Sequence, residues 1–340
     1  MKRESNIELL RIIAMMMVLL VHCNYFSLGP VNPEDIAAAP LDSFVKAFAE
    51  QMCTICVNLF ILISGWFKIK VSFKGLASFL FQVLFYNILI ICAFNCTGNP
   101  ISPNLIIVTL HNYWFVPAYL ILYAISPALN AFIDNGTSKQ YLTVIILFFL
   151  WEFFFGWATT IATDADSAFF NAGYSAISFI GLYLLAGFLR KHCPWRFNIK
   201  AKSTILLYLL FTIIPAVIFI VTKKKLQDTS YCSPFVIAAS VSFFLTFEKI
   251  KFSNSFINSL GKSAFAIYLI HMHPAVIEYY KELMRWAYDM LGSALYMAAA
   301  IIFAVCFGLA CIALDKLRIY TWKLVCKKIP MIDEKKRLNL

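Results

Sequence analysis

Glu8, Arg11 and His22 stand in an otherwise apolar run near the start of the chain, Asn6 to His22. An arginine stays charged and presents a rigid fork of donors that suits an anion such as phosphate. A neutral imidazole can take a proton or act as a nucleophile. If the run is helical, about 100° per residue returns positions 11 and 22 to nearly one face, and a rise of ~1.5 Å per residue sets them roughly 16 Å apart. Glu8, three residues before Arg11, shares that face and can hold the guanidinium. Ionisable side chains inside a bilayer cost roughly 3 kcal/mol each on insertion scales and face a protein interior or a wet cavity. The spacing therefore predicts one cavity, with an anion site near one membrane surface and an imidazole well across. The rival reading is a charged helix end and a packing histidine.

The rest of the chain must supply the walls of that cavity. Aliphatic and aromatic residues make up 61% of the 340 positions and charged ones 14%, with a mean hydropathy of +0.76. Such values exclude an ordinary soluble domain and predict an all-α, polytopic membrane helix bundle. At about 20 residues per span the chain holds about ten transmembrane helices, so residues 1–340 are expected to form one integral-membrane domain ending in a basic tail, 315–340. Chemistry, if any, must then take place inside the bundle. Met1 to Arg3 ahead of an apolar run imitates a secretory signal, but Arg11 interrupts the run and Ala37-Ala38-Ala39 lies too far beyond it for a cleavage site.

Ten spans can be laid out: one at 6–22, then about 44–67, 75–95, a fourth from the His111 region to Asp134, 141–161, 174–189, 203–221, 232–247, 262–280 and 293–314. Most of the 29 Lys and Arg residues then fall in segments on the side of the N-terminus. That bias makes the inner face, and both termini, cytoplasmic. Lys223-Lys-Lys225 stands on the wrong side in this scheme. The net charge of +11 reflects topology and contact with anionic lipid or a phosphate ligand; no nucleic-acid module is present.

Further polar groups are candidates. Glu152 is isolated in Trp151-Glu-Phe-Phe-Phe; an intramembrane carboxylate there could orient His22 or bind hydroxyl groups, or be a protonated structural group. His271 and His273, two apart on a helix, point about 200° away from each other, so a shared metal would require unwinding before Pro274. No metal site is expected, and His271 is expected to pack or bond at the outer rim. Ser64-Gly65 is read as a small-residue contact between helices rather than a nucleophile. Cys53 and Cys56 are read as packing residues.

The chain resembles the acyltransferase 3 family of integral-membrane bacterial O-acyltransferases. The resemblance rests on Glu8, Arg11 and His22, on Asn58 to Trp66 with its Ser64-Gly65, on Tyr113-Trp114-Phe115-Val-Pro117, on Gly181 to Gly187, and on Gly261 to His271. These segments occur in the family's order over almost the whole chain. Lys68, Lys70 and Lys74 stand where many relatives carry arginines, and the extracellular esterase-like domain that some relatives append is not expected here.

The resemblance implies transfer of an acetyl group from cytosolic acetyl-CoA to a hydroxyl of a cell-surface or exported polysaccharide, or of its lipid-linked precursor. It implies residence in the cytoplasmic (inner) membrane of a bacterium. Arg11, with Glu8, would then bind the phosphates of acetyl-CoA at the inner mouth. His22 would act as general base or accept the acyl group itself, and Glu152 is the second catalytic candidate. Membrane lipids and a carbohydrate acceptor are the expected partners, and association into a homo-oligomer is left open. Rival functions are a transporter or flippase using Arg11, Glu152 and His22 for binding alone, and an acyltransferase for a small cytosolic acceptor.

Overall fold

A computed structural model describes residues 3–98, 109, 113–163, 169–222 and 230–328. His111, Asp164, Asp166, the Lys223 to Lys225 run and the end of the basic tail lie outside the described residues. Everything regular in the described chain is helical. The main helices are α1 (Ser5–Cys23), α2 (Pro40–Cys53), α3 (Cys56–Phe67), α4 (Phe73–Cys96), α5 (Phe115–Asn135), α6 (Ser138–Glu152), α7 (Ala176–His192), α8 (Ala201–Thr222), α9 (Pro234–Lys249), α10 (Ser255–Gly261), α11 (Ala264–His271) and α12 (Pro274–Lys328).

Seven helical stretches among the described residues are long and apolar enough to cross a membrane: Ser5–Leu28, Pro40–Phe67, Phe73–Cys96, Phe115–Asn135, Ser138–Thr163, Ala201–Thr222 and Leu295–Lys328. The protein is an all-α polytopic bundle. Fewer stretches reach full span length than the ten laid out from sequence. α7 and α9 have 17 and 16 residues, and the expected ninth span, 262–280, is broken. α11 ends at His271 and α12 begins at Pro274. Proline lacks the N–H that would continue the helix and disfavours helical geometry in the residue before it, so the break falls where the sequence puts Pro274. Within α12, Gly292 adopts φ +68, left-handed backbone that an L side chain resists, and it divides the helix just before the last apolar span.

α1 is the centre of the bundle. It touches α2, α3, α9, α10, α11 and α12, which explains why its apolar residues are not confined to one stripe. Both ends are anchored by side chains. At the start, Asn6 Nδ2 donates to Phe247 O at 2.8 Å and Asn254 N donates to Ser5 Oγ at 2.8 Å. At the finish, carbonyls that a helix end leaves without partners are taken up one by one. Asn24 N donates to Leu20 O, Ser27 Oγ to His22 O at 2.5 Å, and Tyr296 Oη to Cys23 O at 2.5 Å. Tyr280 Oη reaches back to Leu19 O at 2.8 Å. The backbone that carries His22 is thus held from three sides before any ligand arrives.

Two neighbours of α1 are themselves shaped by local chemistry. A Cβ on Gly65 would collide with the Tyr183 carbonyl, so glycine lets α3 and α7 approach backbone to backbone, as small residues do in membranes. In α5, Pro127 deprives Tyr123 O of its helical donor, and Ser126 Oγ donates to that carbonyl at 2.8 Å.

Candidate active site

One cavity of about 280 Å³ runs along α1. Arg3, Arg11 and Lys262 line one end, and His22, Trp114 and Tyr231 line it further along; Met15, Val18, Phe60, Ile63, Phe79, Phe115 and Phe265 supply apolar wall between them. The helix-face argument from positions 11 and 22 therefore holds in three dimensions. Both side chains open onto the same space.

The basic end is a small charge cluster. Arg3 pairs with Glu8 Oε2 at 2.9 Å, and Arg11 lies 3.7 Å from Glu8 Oε1. Glu8 itself is buried and not part of the cavity lining; it packs against Gly261, where a Cβ would meet its carboxyl. Its role in this geometry is to hold two guanidinium groups. Three cations against one carboxylate leave the mouth positive, and about a third of the Arg11 side chain stays exposed to meet a ligand. Other basic groups gather at the same end of α1. Lys249 donates to Arg196 O at 2.5 Å, two residues along α9 from the Phe247 carbonyl that anchors Asn6.

At the other end the His22 ring sits 4.7 Å from the Phe26 ring, centroid to centroid. Its Nδ1 lies 2.7 Å from His271 Nε2, and His271 Nδ1 lies 2.6 Å from Ile267 O. His271 is fully buried at the end of α11. Tyr113 donates its hydroxyl to Leu269 O in the same short helix. Trp114, Tyr174 and Tyr231 form an aromatic group beyond, with Trp114 to Tyr174 at 4.6 Å and Tyr174 to Tyr231 at 4.7 Å between ring centroids.

Ser64 also lines the cavity, but its hydroxyl donates to Phe60 O at 2.8 Å within its own helix, so it is not poised beside a base. Glu152 is not brought to the cavity. It is buried at the end of α6, where the chain passes into the π-helical turn Phe153–Ala158. Ser178 is the polar group near its carboxyl, although neither carboxylate oxygen reaches hydrogen-bonding geometry. The place beside His22 that a carboxylate could have filled is taken by His271. His273 turns elsewhere and accepts a hydrogen bond from Ala275 N at 3.2 Å.

The apolar channel, the imidazole and, Arg3 apart, the basic mouth sit within the span matched by a family model. Residues 4–313 match the model of an acyltransferase domain. The chain belongs to the acyltransferase 3 family. No curated protein and no solved structure matches it. The protein is thus a multi-pass membrane acyltransferase, and the cavity beside α1, which brings together the motif residues Arg11 and His22, is its candidate active site. Sequence reasoning missed three of the lining or contacting groups. Arg3 was read only as part of a stretch that imitates a secretory signal and Lys262 only as the first residue of the ninth span, and His271 was weighed against its neighbour His273 rather than against His22, 249 residues away.

Proposed function

We propose that the protein moves an acetyl group from cytosolic acetyl-CoA to a hydroxyl of a surface or exported carbohydrate in the cytoplasmic membrane of a bacterium. The observation that carries this reading is one cavity with a guanidinium at one end and an imidazole at the other. The donor's phosphates bind at Arg3, Arg11 and Lys262, where fixed positive charge and forked donors suit a polyanion. The pantetheine arm lies along the apolar wall and delivers the thioester to His22. The basic residues at the Arg11 end support reading that end as cytosolic, and in this reading His22 meets the acceptor from the opposite side.

In the chemical step the imidazole takes the hydroxyl proton as the oxygen attacks the thioester carbonyl. The C–S bond then breaks, the ester is released, and the departing sulfur receives the proton from the imidazolium, giving CoA thiol and a neutral imidazole again. Bringing two substrates to one imidazole in a channel closed by apolar side chains supplies the rest of the acceleration.

The test is mass spectrometry of surface polysaccharide from cells with and without the protein. Acetyl groups are lost on deletion and return with the wild-type chain but not with His22→Ala. Polysaccharide unchanged by deletion would refute the acceptor, and a purified His22→Ala protein turning over acetyl-CoA at the wild-type rate would refute the catalytic role.

A further inference from the structure

We infer that His271 fixes His22 in the tautomer that carries its proton on Nδ1, leaving Nε2 as the atom that accepts the substrate proton. The inference rests on the reading of His22 as the base, but the tautomer follows from hydrogen-bond geometry alone. Ile267 O is a carbonyl with no proton to give, so His271 Nδ1, 2.6 Å away, must be the donor. A neutral imidazole carries one proton, and His271 Nε2 is therefore bare. The 2.7 Å contact between His271 Nε2 and His22 Nδ1 then needs its proton from His22. His22 Nε2 is left with a lone pair. It has no hydrogen-bond partner among the described residues and, unlike His273 Nε2, is not sealed away.

The alternative, a doubly protonated His271, would place a cation in a fully buried site between the rings of Tyr268 and Tyr280. Neither imidazole is paired with a carboxylate among the described residues, so such a charge would be uncompensated. The chain of bonds has a direction set at its far end by a backbone carbonyl. It runs Ile267 O, His271, His22, substrate. When His22 becomes an imidazolium in the transfer step, its Nδ1–H remains bonded to a neutral acceptor, which steadies the charge without burying a permanent anion beside it. His271 is a positioning residue in this scheme, since it touches the base and not the substrate.

The helix break explains how the bond can form. α11 ends at His271 itself, because His273-Pro274 cannot extend the helix. Tyr113, donating to Leu269 O, pins the last turn of α11 on its other flank. The His271 ring is thereby held against α1 by its own helix's Ile267 carbonyl and by the packing of Tyr280.

The deciding measurement is nitrogen-15 solid-state NMR of imidazole-labelled full-length protein in bilayers. The chain has five histidines, and the His22 signals are assigned by their absence from His22→Ala. The expected spectrum shows a protonated Nδ1 and a bare Nε2 for His22. In His271→Phe, similar in shape but without an acceptor, that tautomer loses its dominance and kcat falls about 100-fold, with KM for acetyl-CoA within about twofold of wild type. His271→Gln, whose side-chain oxygen replaces Nε2, recovers at least tenfold of the lost kcat. A wild-type spectrum with the proton on His22 Nε2 overturns the inference without recourse to any variant. So does a His271→Phe protein that keeps wild-type kcat. A protein that shows the stated tautomer yet transfers acetyl to no polysaccharide would sink the acceptor reading and leave the tautomer assignment standing.

Discussion

The two ends of the cavity are built on opposite physical plans. At the mouth, Arg3, Arg11 and Lys262 are partly or fully exposed, their charges are screened by water and salt, and the ion pairs to Glu8 span 2.9 and 3.7 Å. Such a site works by summing several weak attractions, and the loss of any one is tolerable. At the other end one imidazole is seated by a 2.7 Å bond to a fully buried partner and by carbonyl contacts on its own backbone. Here nothing is redundant. Under the proposed function, binding is distributed and proton transfer is concentrated, so damage at the mouth should appear in KM and damage at the imidazole in kcat.

Removing the imidazole gives the largest separation. His22→Ala is expected to lower kcat for acetyl transfer by about 10²–10⁴-fold while leaving acetyl-CoA binding within about twofold, because the proposal docks the phosphates at the far end. Titration calorimetry with the purified variant checks the second half. A His22→Ala protein that lost donor binding as severely as turnover would break the division between the two ends.

Arg11→Ala comes next, with an expected rise of about tenfold in KM for acetyl-CoA and a kcat changed by less than about threefold. Arg11→Lys keeps the charge and loses the fork, so it should fall between the two. Steady-state kinetics on both variants sharpens the contrast. Equal values for Lys and Arg would show that charge alone matters at the mouth.

How much of this was legible beforehand follows the same division. The placement of Arg11 and His22 on one wall could be read from an eleven-residue interval, because a single helix carries both and helix geometry is local. Close packing at Gly65 was legible for the same reason: small residues mark close contacts. What touches His22 was not legible. His271 belongs to a helix 249 positions away, and no periodicity links the two. The sequence instead offered His273 as its nearest histidine and Glu152 as a carboxylate for His22, and the fold places neither beside that ring. The break after His271 could have been a signal, since Pro274 sets it. A polar side chain at a forced helix end is free to turn towards a neighbouring helix instead of stacking on its own. The lengths of the individual spans were less legible for a related reason. α7, α9 and α11 are buried among other helices and can be short, and hydropathy alone does not distinguish a short buried helix from a full span.

Ionic strength offers a test that changes no residue. Raising salt from about 0.05 to 0.5 M shrinks the screening length severalfold, and KM for acetyl-CoA should climb a few-fold while kcat holds. The His22 ring is seated by a 2.7 Å contact to the fully buried His271 rather than by exposed charge. A kcat that fell in parallel with donor affinity would mean that the imidazole also depends on exposed charge.

The smallest effect is expected at Lys262, and it is the most exacting check on the idea of distributed binding. Lys262 is exposed at the start of the turn into α11 and lines the mouth with Arg3 and Arg11, but no ion pair fixes it among the described residues. A mobile ammonium on a long stem loses much of its attraction to side-chain entropy, so Lys262→Ala should raise KM by only about two- to threefold. Its sign is nonetheless informative, because the same substitution also lowers the positive potential felt by Arg11. If contributions sum, Arg11→Ala and Lys262→Ala together should multiply to about 20–30-fold in KM, as independent exposed contacts do. A double variant no worse than Arg11→Ala alone would mean that the phosphates rest on one guanidinium, and the mouth would then be as concentrated a site as the imidazole.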